Sequence, residues 1–309
     1  MKALQLVTTP RPFFDQQVEG LESRGVAAPV HPIPRPETGG RGPREFAEYV
    51  PEVLRASLSG ADVVHANFGL TAPFALAQPR RPVVLTFWGT DLMGPTWLQK
   101  LSEQCARRAD AVVVPSKTLA KRLDVDHNVI PFGVDTDLFR PIDRAEAREQ
   151  LGWDADETVA LFPYDTERDV KDYSRAKRVV DATEGDVTLR PISGVDYDEM
   201  PYYFNASDLL LVTSKRESGP MVVKEAAACN VPVVSTDVGF ARDVLEPVAN
   251  STVADTDDEL VAGIQQVAES GDRSDGRETI DCLSIDEMTD RLLSVYHDVT
   301  CPMAGVRHG

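Results

Sequence analysis

The stretch running from Leu209 to Ser235 constrains this chain more than any other, because it dictates strand, helix and strand in immediate succession. Leu209 to Thr213 is a short apolar run with a β-branched end, the signature of a buried parallel strand. Gly219 and Pro220 read as the start of a helix, with proline at the first helical position, where its missing N–H costs nothing. The helix is predicted to reach Cys229, close at Asn230 in a left-handed cap, and lead through Pro232 into a second strand over 233–235. Glu217 is thereby expected at the carboxyl end of the first strand, and Glu225 nearly two turns into the helix.

The same alternation recurs along the chain and gives two βα arrays. In the first, strands are predicted over 3–8, 63–66, 82–87, 111–115 and 128–131, with helices over 15–24, 49–58, 97–108 and 118–123. The stretch 31–44, rich in Pro, Gly and Arg, is read as a loop. In the second array, helices are predicted over 145–151, 173–183, 200–205 and 257–269, and strands over 159–162, 187–191, 209–213, 233–235 and 252–254. A last helix over 284–296 carries Leu292, Leu293 and Tyr296 at helical spacing, with a frayed tail after Thr300.

Open α/β sheets bind ligands outside the carboxyl ends of their strands, where a helix N-terminus offers free N–H groups and a positive dipole end. Two carboxylates beside such a helix suit a sugar nucleotide: they grip hydroxyls while the helix end faces phosphate. Either glutamate alone reads equally well as a surface residue of an acidic chain.

The surrounding sequence resembles the retaining glycosyltransferases of family 4, which have a GT-B fold. The segment Glu217-Ser-Gly-Pro-Met-Val-Val-Lys-Glu225-Ala-Ala-Ala-Cys-Asn-Val-Pro-Val-Val-Ser matches the family's glutamate pair, small-residue helix, cysteine and strand. Val64-His65-Ala-Asn67-Phe-Gly69-Leu and Val84-Leu-Thr-Phe-Trp88-Gly-Thr-Asp91-Leu look like successive strand ends of its N-terminal domain, and Asp110-Ala-Val-Val-Val-Pro-Ser116 like its next strand. Ile130-Pro-Phe-Gly133-Val-Asp135-Thr-Asp-Leu-Phe-Arg-Pro141 resembles its interdomain crossover.

The resemblance implies an α/β protein of two Rossmann-like βαβ domains, their parallel sheets facing a central cleft. Residues 1–140 would be the acceptor-binding domain and 141–283 the nucleotide-sugar domain, with 284–309 a terminal helix packing back toward the first domain. It implies transfer of a hexose-like unit from a UDP- or GDP-linked sugar to a sugar, glycan or lipid-linked acceptor, with retention of configuration. Neither a metal nor a bound cofactor is needed. The alternatives are a sugar-nucleotide epimerase on the same fold and a nucleotide-sugar-binding protein without turnover. A dinucleotide oxidoreductase is disfavoured, since no Gly-x-Gly-x-x-Gly follows a predicted strand.

By the same resemblance Glu225 would accept hydrogen bonds from the ribose, and Glu217 would contact the donor sugar near its anomeric carbon. Gly219, Pro220, Met221 and Val222 would hold sugar hydroxyls and phosphate. Arg168 and Lys171 would meet the diphosphate, the alternative being a solvated basic loop.

The chain departs from the family in several places. Pro163-Tyr164-Asp165-Thr166 replaces the usual Gly-Arg, and the turn Thr8-Thr9-Pro10-Arg11-Pro12 lacks the glycine-rich loop. Ser218-Gly219 stands where an aromatic is usual, and Trp88 where a histidine is. Asp91 is then the expected acceptor-orienting carboxylate or base, or else a cap of the following turn. His65 is the second candidate, or else structural. Gly69 and Gly89 are expected to allow close backbone approach.

Composition fits this picture. A length of 309 residues suggests two domains. Fifty acidic against 32 basic residues give a net charge of −18, which disfavours nucleic acid and anionic lipid as partners. We read that acidity as adaptation to high salt. The four cysteines are scattered and read as reduced small hydrophobes, and no histidine cluster marks a metal site. No apolar stretch approaches the ~20 residues that span a bilayer. The start of the chain leads directly into a strand rather than a signal peptide, so a cytoplasmic protein is expected, or one peripheral to the inner face of the cell membrane.

Overall fold

The computed structural model describes residues 1–36, 40–217 and 219–301. Two compact units divide the chain: Met1–Gly133 together with the segment from Ile285 onward, and Val134–Ser284.

The first unit carries β1 (Ala3–Val7), α1 (Pro12–Ser23), β2 (Val30–Pro32), α2 (Pro43–Ser57), β3 (Val63–Asn67), α3 (Ala72–Ala77), β4 (Val83–Thr86), α4 (Thr90–Met93), α5 (Thr96–Ala106), β5 (Ala111–Val114), α6 (Lys117–Ala120) and β6 (Asn128–Val129). Its strands form one parallel sheet in the order β2-β1-β3-β4-β5-β6. All of β1, β3 and β4 is buried, as expected of parallel strands covered on both faces.

The second unit carries α7 (Arg144–Leu151), β7 (Thr158–Phe162), α8 (Tyr173–Asp181), β8 (Val187–Pro191), α9 (Met200–Ala206), β9 (Leu209–Val212), α10 (Met221–Ala228), β10 (Val233–Thr236), α11 (Ala241–Leu245), β11 (Thr252–Ala254), α12 (Asp257–Ser270) and α13 (Gly276–Ile280). Its parallel sheet runs β11-β10-β9-β7-β8. β9 and β7 lie at or next to its centre, so the loops that follow them share one edge of the sheet.

The last helix, α14 (Ile285–Thr300), belongs to the first unit. Met288, Leu292 and Tyr296 recur every four residues and sit buried in a cluster with Leu21, Val63, Val84 and Val113.

Several boundaries differ from the sequence expectation. The presumed loop over 31–44 contains part of β2 and the start of α2, which begins at Pro43 rather than near 49. Pro43 supplies a helical φ in the first turn, and the Gly42 N–H is satisfied by the Glu45 carboxylate at 2.7 Å. α1 likewise starts at Pro12. α3, α4, α11 and α13 were not anticipated; each is of four to six residues, too short for a helical period to register. Pro220 lies just outside α10 instead of inside it, while Asn230 adopts the left-handed conformation expected of it, at φ 55°. The tail from 302 onward lies outside the described residues. No described helix is long and apolar enough to cross a membrane.

Candidate functional site

In the second unit the loop between β9 and α10 is fastened from both sides. The Thr213 hydroxyl donates to the carbonyls of Lys171 and Asp172 at 3.1 and 3.0 Å, and the Thr236 hydroxyl donates to that of Ser214 at 2.9 Å. The Lys215 N–H reaches the Val170 carbonyl at 2.9 Å. These bonds hold the segment after β7, which carries Arg168 and Lys171, against the segment after β9, which carries Glu217.

The result is an ionic cluster. The buried Lys171 ammonium donates to the Glu217 carboxylate, which also accepts from Ser214 Oγ at 2.9 Å. The ammonium lies 3.7 Å over the centre of the Tyr164 ring. Burial lowers the Lys171 pKa, opposed by the negative charge and hydrogen bond of Glu217. Burial, and next the charges of Glu217 and Glu225, hold the Tyr164 phenol neutral. Arg168 is exposed, and its charge is felt at both Lys171 and Tyr164.

Glu225 lies in the second turn of α10 and is only 4% exposed. The Tyr197 hydroxyl donates to it at 3.1 Å. Burial pushes its pKa up to about 7, against the opposing pull of Tyr197 and Lys224. The neighbouring Lys224 is wholly buried, with its ammonium 4.2 Å from the centre of the Phe240 ring, and burial brings its pKa down to about 7.

Gly219 is pressed against the same ring. A β-carbon there would stand 2.2 Å from a Phe240 ring carbon, so any side chain would displace one or the other. Pro220 is buried, while Met221 and Val222, half-buried, open α10. The first N–H groups of a helix have no partner within it and face outward along its axis. Ser218, expected in place of an aromatic, lies outside the described residues.

The strand ends of the first unit are organised differently. Asp91, at the start of α4, is wholly buried, and its carboxylate accepts from the Gly69 N–H at 3.1 Å, Trp88 N–H at 3.0 Å and Gly89 N–H at 2.7 Å. It ties the loop after β3 to the loop after β4. Burial raises its pKa to about 6 despite those bonds.

The two glycines fit this clamp: Gly89 adopts φ 120°, and a β-carbon at Gly69 would come within 2.1 Å of Ser102 Oγ. Trp88 packs edge-on against Phe13 with centroids 4.8 Å apart.

His65 sits in the middle of β3 with no exposed surface. Its Nδ1 is 2.6 Å from the Tyr296 hydroxyl and its Nε2 2.7 Å from Thr86 Oγ1. Burial lowers its pKa to about 3, so the imidazole is neutral. The network continues through Gln5, Asn67 and Gln17, all buried. Asp91 and His65, expected to meet an acceptor, are each enclosed, with their polar atoms already engaged by neighbouring groups.

The structure thus brings Lys171, Glu217 and Arg168 together, with Glu225 behind them, and leaves Asp91 and His65 in the interior of the other unit. Sequence reasoning missed Lys224, Tyr164 and Tyr197. Lys224 was visible as a charge in an otherwise small and apolar helix, and Tyr164 as an aromatic beside Arg168. Tyr197 lies 28 residues before its partner and carries no local signal.

Comparison with known proteins finds two matching family models. Residues 4–138 match "Glycosyltransferase Family 4" and residues 169–278 match "Glycosyl transferases group 1". The lipopolysaccharide core biosynthesis mannosyltransferase LpsB of Rhizobium meliloti is 30% identical over 170 residues, covering 45% of this chain and 48% of that protein. A D-inositol 3-phosphate glycosyltransferase of Mycobacterium sp. (strain KMS) is 28% identical over 250 residues, covering 64% and 57%. The chain therefore spans about half of the length of these curated relatives. Among solved structures, Anabaena HepE in complex with UDP-glucose superposes with a TM-score of 0.77 at 16% identity, over 97% of this chain and 100% of that one. That likeness shows a shared GT-B fold.

Proposed function

We propose that this chain, whose two units match glycosyltransferase family models and whose fold is GT-B, moves a sugar from a nucleotide-sugar donor to a carbohydrate or lipid-linked acceptor, with retention of configuration and without a metal. The observation that carries the reading is the convergence of Arg168, Lys171 and Glu217 on the strand ends beside the first turn of α10, with Glu225 one turn deeper.

A departing nucleoside diphosphate needs positive charge and N–H donors placed where its own charge grows. Arg168, Lys171 and the opening N–H groups of α10 supply these. With donor bound, the diphosphate replaces Glu217 as the partner of Lys171, and the released Glu217 carboxylate turns to the sugar near its anomeric carbon. Glu225 receives the ribose hydroxyls, and the backbone from Gly219 to Val222 holds sugar hydroxyls and phosphate.

The acceptor oxygen then bonds to the anomeric carbon on the face from which the phosphate oxygen leaves. The acceptor's proton passes to that leaving oxygen, so no separate base is required. Asp91 is assigned a positioning role: it fixes the two loops of the first unit that carry Gly69 and Gly89.

The test is transfer of labelled sugar from UDP- and GDP-linked donors across a panel of glycan and lipid-linked acceptors, followed by determination of the product's anomeric configuration. Isomerised donor without transfer would identify an epimerase instead. Binding without turnover would identify a holder of sugar nucleotides. Inverted product would refute retention.

A further inference from the structure

Within the first unit, the turn after β1, the helices α2, α3 and α5 and the loop after β3 surround an open cavity of about 740 Å³. That volume falls in the ~300–1,000 Å³ range of small-molecule sites. Phe46, Phe68, Phe74, Trp97 and Leu101 make most of its wall. Phe46 and Phe74 stack in near-parallel planes, 11° apart with centroids separated by 6.1 Å, and Tyr49 meets Phe74 edge-on at 5.1 Å, so the wall is braced from behind. Trp97, at the start of α5, is 60% exposed, although large aromatics are ordinarily covered.

One cation joins this wall. The Arg41 guanidinium lines the cavity and is held by neutral oxygens, the carbonyls of Thr8, Ile33 and Pro34 and the Thr9 hydroxyl. No described carboxylate forms an ion pair with it, in a chain that carries 50 acidic residues. Carbonyl partners fix the plane of a guanidinium without cancelling its charge, which leaves it ready for an anion. Burial already lowers its pKa, the cost of keeping a charge there unpaired.

A bare sugar fits such a cavity poorly. Only Thr8, Arg41 and the indole N–H of Trp97 among the lining residues offer polar side-chain groups, so most of its hydroxyls would lose water without gaining a partner. A molecule with an apolar chain and an adjoining anionic group satisfies both halves. Thr8 and Phe68 follow β1 and β3, so the cavity opens at the carboxyl ends of the strands, where sheets of this kind bind ligands.

We propose that this cavity binds an anionic amphiphile, with its apolar chain against the aromatic wall and its phosphate or carboxylate on Arg41, and that this molecule is the acceptor. Naming it the acceptor rests on the glycosyltransferase reading; the binding itself does not.

The experiment is calorimetric titration of the whole protein, without donor, using dodecyl phosphate below its micellar concentration. Saturable one-to-one binding is expected, about tenfold or more tighter than for the uncharged dodecyl maltoside or for inorganic phosphate. Arg41→Gln should remove the preference for dodecyl phosphate over dodecyl maltoside, and Arg41→Lys should restore much of it. Trp97→Ala, at an exposed position, should weaken both chain-bearing probes while UDP affinity stays within about twofold, which shows that the fold is intact.

Equal affinity for the charged and uncharged probes would overturn the proposal, as would affinity unchanged in both variants. Binding seen only with anionic phospholipid vesicles, and insensitive to Arg41→Gln, would point instead to a membrane-facing surface built on the exposed Val50, Leu54 and Leu58. Dodecyl phosphate binding as expected with no sugar transfer to any acceptor would refute the enzymatic reading alone.

Discussion

After β7 and β9 the second unit leaves part of its ionic cluster open to solvent; within β3 and after β4 the first unit encloses its ionisable groups. Glu217 retains 15% of its side-chain surface and Arg168 is exposed, whereas Asp91 and His65 have none. The two sheets are alike in being wholly parallel, yet their loops use carboxylates to opposite ends. In one, a carboxylate balances a buried ammonium, which on the function proposed above a ligand would claim. In the other, a carboxylate gathers three backbone N–H groups and so fixes the shape of the loops. A charged side chain at a strand's carboxyl end is therefore no proof of contact with a ligand; how many of its lone pairs the backbone already holds decides the matter.

The largest expected effect tests the first half of that contrast. Glu217→Gln should lower kcat on the order of a hundredfold to a thousandfold, with the circular dichroism spectrum unchanged. Turnover at the wild-type rate would remove Glu217 from the chemistry. Asp91→Ala tests the second half: with three N–H groups left without their acceptor, the first unit should lose roughly 3 kcal/mol, measured by denaturant unfolding, while UDP affinity is unaffected. A variant of normal stability that no longer transfers sugar would return Asp91 to the reacting groups.

A pH series sharpens the comparison further. Glu225 has its pKa raised to about 7 in the folded protein, against 4.5 as its ordinary value. The folded chain therefore binds the extra proton between those values, and its stability falls as pH rises through that window. Glu225→Gln removes the dependence, so the variant should gain on the order of 2 kcal/mol relative to wild type between pH 5 and pH 8. A constant difference across that range would show that Glu225 ionises in the folded protein as it does in water. The smallest effect belongs to Lys215, whose ammonium meets the exposed Asp169 at 2.8 Å. Screened by solvent, that pair should leave the thermal midpoint where it is when Lys215 becomes alanine.

Much of the second unit could be read from the sequence, because each of its steps leaves a local trace. The apolar run of β9, the glycine and proline before α10 and Asn230 after it place Glu217 before the helix and Glu225 within it. The facing of His65 left no such trace. β3 pairs with β1 on one side and β4 on the other and is buried on both faces, so no alternation of polar and apolar residues shows which way the imidazole points. Its partner Tyr296 is 231 residues away. Asp91 lies in α4, a few residues beyond the end of β4, and its three backbone bonds from two loops are a tertiary fact that no local pattern carries. The start of α2 was hidden because Pro43 and its glycine-rich surroundings look like coil, although proline in the first turn is compatible with a helix.

The route of the chain through the first unit has a consequence for its synthesis. Leu21, Val63, Val84 and Val113 share their core with Met288, Leu292 and Tyr296, and the Tyr296 hydroxyl completes the bonds of His65 and Gln5. About 150 residues of the other unit are translated in between. At ~5–20 residues per second, a ribosome needs roughly 8 to 30 s to cross them. For that interval the earlier-made sheet waits with an open apolar face and with a histidine bonded to Thr86 but still lacking the Tyr296 hydroxyl. The core of the part synthesised first thus cannot be completed until the last helix has been made.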